Sequence, residues 1–300
     1  MSGSGAKPIL VGIDGSFSAE RAARWAAREA RTRNVPLQLL HAYEFAADFA
    51  PDSERGHRAV FLAYGRDCLH QAAEQARREA PGVEVSTELV VAQSVELLAG
   101  RSASASLVVV GSRGLGGVSG LLLGSVAVGL VSQAHCPVVI VRGDELSRPA
   151  AEVAADPRAP VVVGIDGSPV SSAALAYAYE WASLHGSPLV AVHAWAVGSV
   201  DPTLAPLVDT EAMRDDAERL MAENLAGWRE KYPDVEIRRV VVPERPAQAL
   251  LEESQGARLL VVGARGRGGI SGLLLGSTSQ ALIHRAACPV VVVRSAADHG

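Results

Sequence analysis

The chain has 300 residues, enough for two ordinary domains that each bury a core. Its 48% hydrophobic and 20% charged content excludes a disordered protein. A net charge of −5 and a pI near 5.9 exclude the basic footprint of a nucleic-acid binder or of a protein drawn to an anionic membrane.

The opening residues, "MSGSGAKP", lack a basic region followed by an apolar core, so residues 1–7 read as a short tail with no signal peptide and the protein as cytoplasmic. "ILVGID" is a continuous apolar run ending in Gly and Asp, the pattern of a strand buried on both faces. Ser16 or Ser18 caps the helix through "AERAARWAAREARTR", which Asn34 and Pro36 close. "LQLLHAY" is a second strand, followed by a long helix from about Glu54 to Ala80. Then come strand "VEVSTELVV", a short helix from Ser94, strand "LVVVG", a glycine-rich loop, helix "SVAVGLVSQA" and strand "PVVIVR".

The second half repeats this order with "VVVGID", "PLVAVHAW", "VEIRRVVV", "RLLVVG" and "PVVVVR". Gly12 pairs with Gly164, His41 with His193, Gly111 with Gly263 and Cys136 with Cys288, every pair 152 positions apart. A constant offset over a whole domain marks a tandem duplication. Domain one is placed at 8–143 and domain two at 160–295. The Pro- and Ala-rich 144–159 is the linker. Alternating strands and helices, with Val-, Leu- and Ile-rich strands, predict an α/β fold: two tandem open parallel sheets with helices on both faces, Rossmann-like.

From Gly114 to Val141 no residue is charged, a length that could span a bilayer. Six glycines and the polar Ser119, Ser125, Ser132, Gln133 and His135 interrupt it, and the second copy puts Arg267 and Arg285 in the same window. No membrane insertion is expected. Cys136 and Cys288, each at the start of a strand, read as buried thiols; with Cys68 the count is odd and lacks CxxC or zinc spacing.

The duplicated loop reads Gly111-x2-Gly114-x9-Gly124-Ser125 and Gly263-x2-Gly266-x9-Gly276-Ser277. Glycines can take positive φ and let a ligand approach bare backbone, and the following helix presents its positive end, an arrangement suited to a polyphosphate. The alternative, a mobile turn with "LLL" packed inward, does not require the preserved register. The "GIDGS" turns, Gly12–Ser16 and Gly164–Ser168, put Asp14 and Asp166 at the carboxyl end of the first strand, beside the loop if strands one and four meet at the switch point. A carboxylate beside phosphates calls for a divalent cation between them, Mg²⁺ or Mn²⁺; a helix cap is the competing role, and the two are compatible.

The doubled "GIDGS" turn, the G-x2-G-x9-G-S loop and the "CPVVVVR" strand resemble the universal stress protein family in its tandem-domain form. The resemblance implies five parallel strands in the order 3-2-1-4-5 and ATP at the switch point. It places Gly111, Arg113, Gly114, Gly124, Ser125 and Val126 around phosphates and ribose in the first copy. Gly263, Arg265, Gly266, Gly276, Ser277 and Thr278 take those places in the second. Leu115, Gly116 and Gly117, and Arg267, Gly268 and Gly269, belong to the same loops. Ala42 and Ala194 would meet adenine with Val110 and Val262 nearby, and Gly12 and Gly164 count among the binding residues. The "GxP" that the family often has before its third helix survives only in the second copy, as "PERP".

A dinucleotide-binding dehydrogenase needs GxGxxG in the first turn, which reads "GIDGS" here, and no GK[ST] of a P-loop occurs. His41 and His193 read as cleft wall, and His135 is replaced by Ala287 in the second copy, so no duplicated His or Glu sits beside the loop. The expectation is an ATP-binding stress-response regulator with little or no hydrolysis. A slow ATPase or nucleotide-transfer enzyme is the alternative. The apolar "PVVIVR" and "PVVVVR" would be edge strands, covered if the two copies pair; the resemblance adds a homodimer of tandem chains, with a further protein partner unnamed.

Overall fold

The computed structural model describes residues 5–44, 51–114, 124–142, 156, 158–195, 209–266 and 275–294, with side chains of the long second helix from 58 onward. The chain divides into two compact units, Met1–Glu145 and Leu146–Gly300.

In the first unit β1 (Ile9–Gly12) leads to α1 (Phe17–Arg33), β2 (Leu37–Tyr43), α2 (Pro51–Glu79), β3 (Val85–Val91), α3 (Ser94–Ser102), β4 (Leu107–Gly111), α4 (Ser125–Gln133) and β5 (Val138–Val141). Its strands are parallel in the order β3-β2-β1-β4-β5, with Ile9 in register with Leu37 on one side and Leu107 on the other. β1, β4 and β5 are buried on both faces, which is why they read as unbroken apolar runs. α1 and α2 pack on each other, as do α3 and α4, so helices cover both faces.

The alanines of α1 explain its close seat. Ala19, Ala22, Ala23, Ala26, Ala27 and Ala30 are all buried and let the helix backbone approach the strands. Ser16, not Ser18, is the cap: its hydroxyl accepts from the Ala19 amide at 3.2 Å. Asn34 closes the helix in the left-handed region, φ 53°, as its short polar side chain allows.

The second unit runs β6 (Val161–Gly164), α5 (Pro169–His185), β7 (Leu189–Ala194), α6 (Thr210–Leu225), α7 (Trp228–Lys231), β8 (Ile237–Val242), α8 (Pro246–Glu253), β9 (Leu259–Gly263), α9 (Ser277–Arg285) and β10 (Val290–Val293). Its parallel strands follow the same internal order, β8-β7-β6-β9-β10. The expected strand order therefore holds within each copy.

One element departs from simple repetition. The 29-residue α2 corresponds to two helices, α6 and α7, parted at Gly227, φ 77°. Buried Ala27, Ala76 and Ala80 of the first unit become Tyr179, Trp228 and Tyr232, 152 positions on. Tyr179 stacks on Trp228 with centroids 5.0 Å apart and on Tyr232 at 5.6 Å. Three rings cannot occupy the space of three methyl groups, so the second helix is broken where they enter.

Candidate functional site

In each unit the first strand lies between the second and the fourth, so the chain reverses direction across the sheet between β1 and β4, and between β6 and β9. A crevice at the strand carboxyl ends follows from that topology.

The "GIDGS" turn takes the shape its residues dictate. Gly15 and Gly167 have φ of 88° and 74°, a region that disfavours any other residue. The Asp14 Oδ1 accepts from the Ser16 amide at 2.9 Å, and Asp166 Oδ1 from the Ser168 amide at 2.9 Å. Each Asp thus folds over its own turn rather than capping the helix, a task left to Ser16 and Ser168. The second carboxylate oxygen points elsewhere. A Cβ on Gly114 would stand 2.5 Å from Asp14 Oδ2, and one on Gly266 would collide with Asp166 Oδ2. Turn and loop therefore meet at carboxylate and bare glycine in both copies.

Gly111, Gly114, Gly263 and Gly266 are required for space, whereas a Cβ on Gly124 or Gly276 would make only ordinary contacts, at 3.6 and 3.5 Å. Among the described residues none of Gly111, Gly114, Gly124, Gly263, Gly266 and Gly276 has positive φ. A Cβ on Gly111 would lie 2.7 Å from the backbone carbon of Ser18, and one on Gly263 2.8 Å from Val170 Cγ1. The loop ends are tied together by the Gly124 amide donating to Ser112 O at 2.8 Å, and by Gly276 to Ala264 O at 2.9 Å. α4 and α9 then start from glycine N-caps with no side-chain hydrogen bond, so their first amides have no internal cap. The helix dipole adds about half a positive charge there.

In the second unit these parts enclose a cleft of about 550 Å³, within the range of small-molecule sites, about 300–1,000 Å³. Gly164, Asp166, Ala194, Val262, Gly263, Arg265, Gly266, Gly276, Ser277 and Thr278 all line it. In the first unit Gly12 faces Leu98 and Val110, Gly114 faces Asp14, and Gly124 lies against Arg113 and Gly114. Ala42 of β2 is in register with Val90 of β3, and Ser125 and Val126 open α4. Leu115, Gly116, Gly117, Arg267, Gly268 and Gly269 lie outside the described residues.

Sequence reasoning found Ala194 and Val262 but missed the rest of the apolar wall. Ile165, Val192, Pro246, Leu250 and Leu275 join the second cleft, as do Ser171 and Ser279. A duplicated signal was present: Leu98 over Gly12 and Leu250 over Gly164 are 152 positions apart, with Cδ1 3.1 Å from a Cβ on either glycine. Both duplicated histidines are buried, and His193 Nδ1 lies 2.7 Å from the Ile165 carbonyl. Burial holds the His41 pKa below its ordinary value, against smaller upward pulls from the Ile13 backbone and Asp14. Burial also pushes the Cys136 and Cys288 thiols up to about 12; Cys288 is buried as expected, whereas Cys136 is half-buried.

Among the described residues no three His, Cys, Asp or Glu side chains gather as a metal cage, and no helix is long and apolar enough to cross a membrane. A metal here would rest on a lone carboxylate per cleft and on oxygens of a ligand, a common pattern for Mg²⁺.

Two doubly wound units, each with a turn and a glycine loop meeting at its switch point, describe a tandem protein of one recurring domain. The universal stress protein family model matches residues 5–142 and again 158–294. A universal stress protein of Mycobacterium tuberculosis is 43% identical over 298 residues, covering 98% of both chains. One of Mycolicibacterium smegmatis is 41% identical over 294 residues, covering 95% of this chain and 96% of that one. The chain belongs to the universal stress protein family. Among solved structures, a universal stress protein from Archaeoglobus fulgidus superposes with a TM-score of 0.67 at 21% identity, covering 96% of this chain and 98% of that one. At that identity the likeness speaks for the fold.

Proposed function

We propose that this protein binds ATP in two clefts, one in each domain, 8–143 and 160–295, and acts as a nucleotide-dependent regulator of the stress response in the cytoplasm. The observation that carries the reading is the doubled meeting of Asp14 with Gly114 and of Asp166 with Gly266, each beside an uncapped helix start. Phosphates take the backbone amides of Gly111–Gly114, Gly124–Val126 and their counterparts, with Arg113 and Arg265 supplying positive charge. Mg²⁺ or Mn²⁺, when bound, would neutralise phosphate charge beside the Asp14 and Asp166 carboxylates. The apolar wall of Leu98, Val110 and Ala42, and of Leu250, Val262 and Ala194, takes the adenine.

The protein is a binder rather than a turnover enzyme. His41 and His193 are buried, with His193 Nδ1 against the Ile165 carbonyl, and among the described residues no duplicated His or Glu stands at the loop. Slow hydrolysis in the same clefts is the second reading, favoured only by the two arginines. The chains pair as homodimers and signal to a further protein. Heat release of small molecules from purified protein tests the proposal. Adenine nucleotide is expected in the extract, with no enzyme-like turnover; an extract without it, or turnover lost in the Asp14→Ala, Asp166→Ala double variant, contradicts the reading. A monomeric mass at micromolar concentration contradicts the homodimer.

A further inference from the structure

Most residues that line the second cleft return unchanged in the first copy, 152 positions earlier. Three of them carry a hydroxyl where the first copy has an apolar side chain: Ser171 for Ala19, Thr278 for Val126 and Ser279 for Ala127. The reverse exchange, Pro246 for Ser94, falls at the starts of α8 and α3, the helices that carry the wall leucines Leu250 and Leu98.

Two of the three hydroxyls are spent inside the protein. Ser171 donates to the Ser168 carbonyl at 3.0 Å, and Ser279 donates to the Gly263 carbonyl at 2.6 Å. Thr278 has no such bond among the described residues, and it lines the cleft beside Gly276 and Ser277. It is the second residue of α9, in the turn whose N-cap glycine leaves the first amides uncapped. The positive end of the helix favours an anion in that place. A hydroxyl there donates to an anionic oxygen. Val126, the second residue of α4, has nearly the same shape and no proton to donate.

We infer that Thr278 is a specificity-determining residue, through which the second cleft separates phosphorylated from unphosphorylated ligands more sharply than the first. The inference rests on the nucleotide reading of the clefts. A hydrogen bond to a charged oxygen is stronger than one between neutral groups, and about tenfold in affinity is expected from it. Only a ligand with a phosphate collects that gain; a bare nucleoside does not. Arg265, Gly266 and Ser277 have identical counterparts in Arg113, Gly114 and Ser125, so exchanging Thr278 and Val126 isolates a single oxygen atom.

Titration calorimetry on the full chain tests this with each cleft read alone, the second in Gly114→Ala and the first in Gly266→Ala. In the second cleft Thr278→Val is expected to weaken Mg-ATP about tenfold and to leave adenosine unchanged, while Thr278→Ser, which keeps the hydroxyl, retains the affinity. In the first cleft Val126→Thr should tighten Mg-ATP by a similar factor. The inference is overturned by a Thr278→Val variant that binds Mg-ATP as before or loses adenosine equally, or by a first cleft that Val126→Thr leaves unchanged. Tripolyphosphate separates this inference from the nucleotide reading. If the parent takes up tripolyphosphate but no adenine nucleotide, and Thr278→Val weakens that uptake about tenfold, the nucleotide reading fails and the donor role of Thr278 stands. If the substitution leaves that uptake unmoved, or neither probe binds, both fail.

Discussion

At the residue scale the sites are made of close approaches. Gly114 and Gly266 are exposed, so nothing in the core demands their identity, yet a methyl group on either meets an Asp oxygen. Alanine there should leave the fold intact and turn the carboxylate away from the loop. The glycine pattern was legible in the sequence, but its cause was not. The motif G-x2-G-x9-G says that small residues are needed, and at its first two glycines, which lack positive φ, the reason is proximity: Gly111 and Gly263 lie against the first helix, and Gly114 and Gly266 against an Asp oxygen. His41 supplies a pH signature. Burial lowers its pKa from 6.5, so the folded chain binds this proton less well than the unfolded chain. Its contribution is fully present above pH 6.5 and is lost as the pH falls below that through the lowered value. Urea titrations should therefore show the first unit weakening between pH 7 and pH 5, with a shallower slope in His41→Gln; an unchanged slope would exclude this histidine as the cause.

At the scale of elements, strands and the first helices could be read directly, because buried parallel strands are apolar runs and helix ends carry Ser, Asn and Gly. The split of the second long helix could not. Its cause is a three-way exchange of Ala27, Ala76 and Ala80 for Tyr179, Trp228 and Tyr232, residues distant in sequence whose contact only the fold reveals. The exchange has a cost. Tyr179 is 1% exposed, and its hydroxyl is buried without a hydrogen-bond partner among the described residues. An unsatisfied buried polar group costs about 1–3 kcal/mol, so Tyr179→Phe should keep the stack and stabilise the second unit by roughly 1 kcal/mol. A lower melting temperature for this variant would mean that the hydroxyl is satisfied after all. The apolar cleft wall lay at the same limit of legibility, since Leu98 and Leu250 sit on helices that the loop motif does not mention.

At the scale of the whole molecule, the duplication did most of the inferential work. A constant offset of 152 carried the fold from one half to the other and turned a weak single motif into a repeated one. It also made the differences informative: Thr278 and Val126, at the same place in the motif, give the two cradles a hydroxyl and a methyl group. The central claim is that each copy builds a nucleotide site from its turn and its loop. The most direct test is calorimetry of the full chain with Mg-ATP, alongside Gly114→Ala, Gly266→Ala and the double variant. One nucleotide per cleft is expected in the parent, loss of one site in each single variant and of both in the double, with circular dichroism unchanged. Saturable binding that survives in the double variant, or none in the parent, would contradict it.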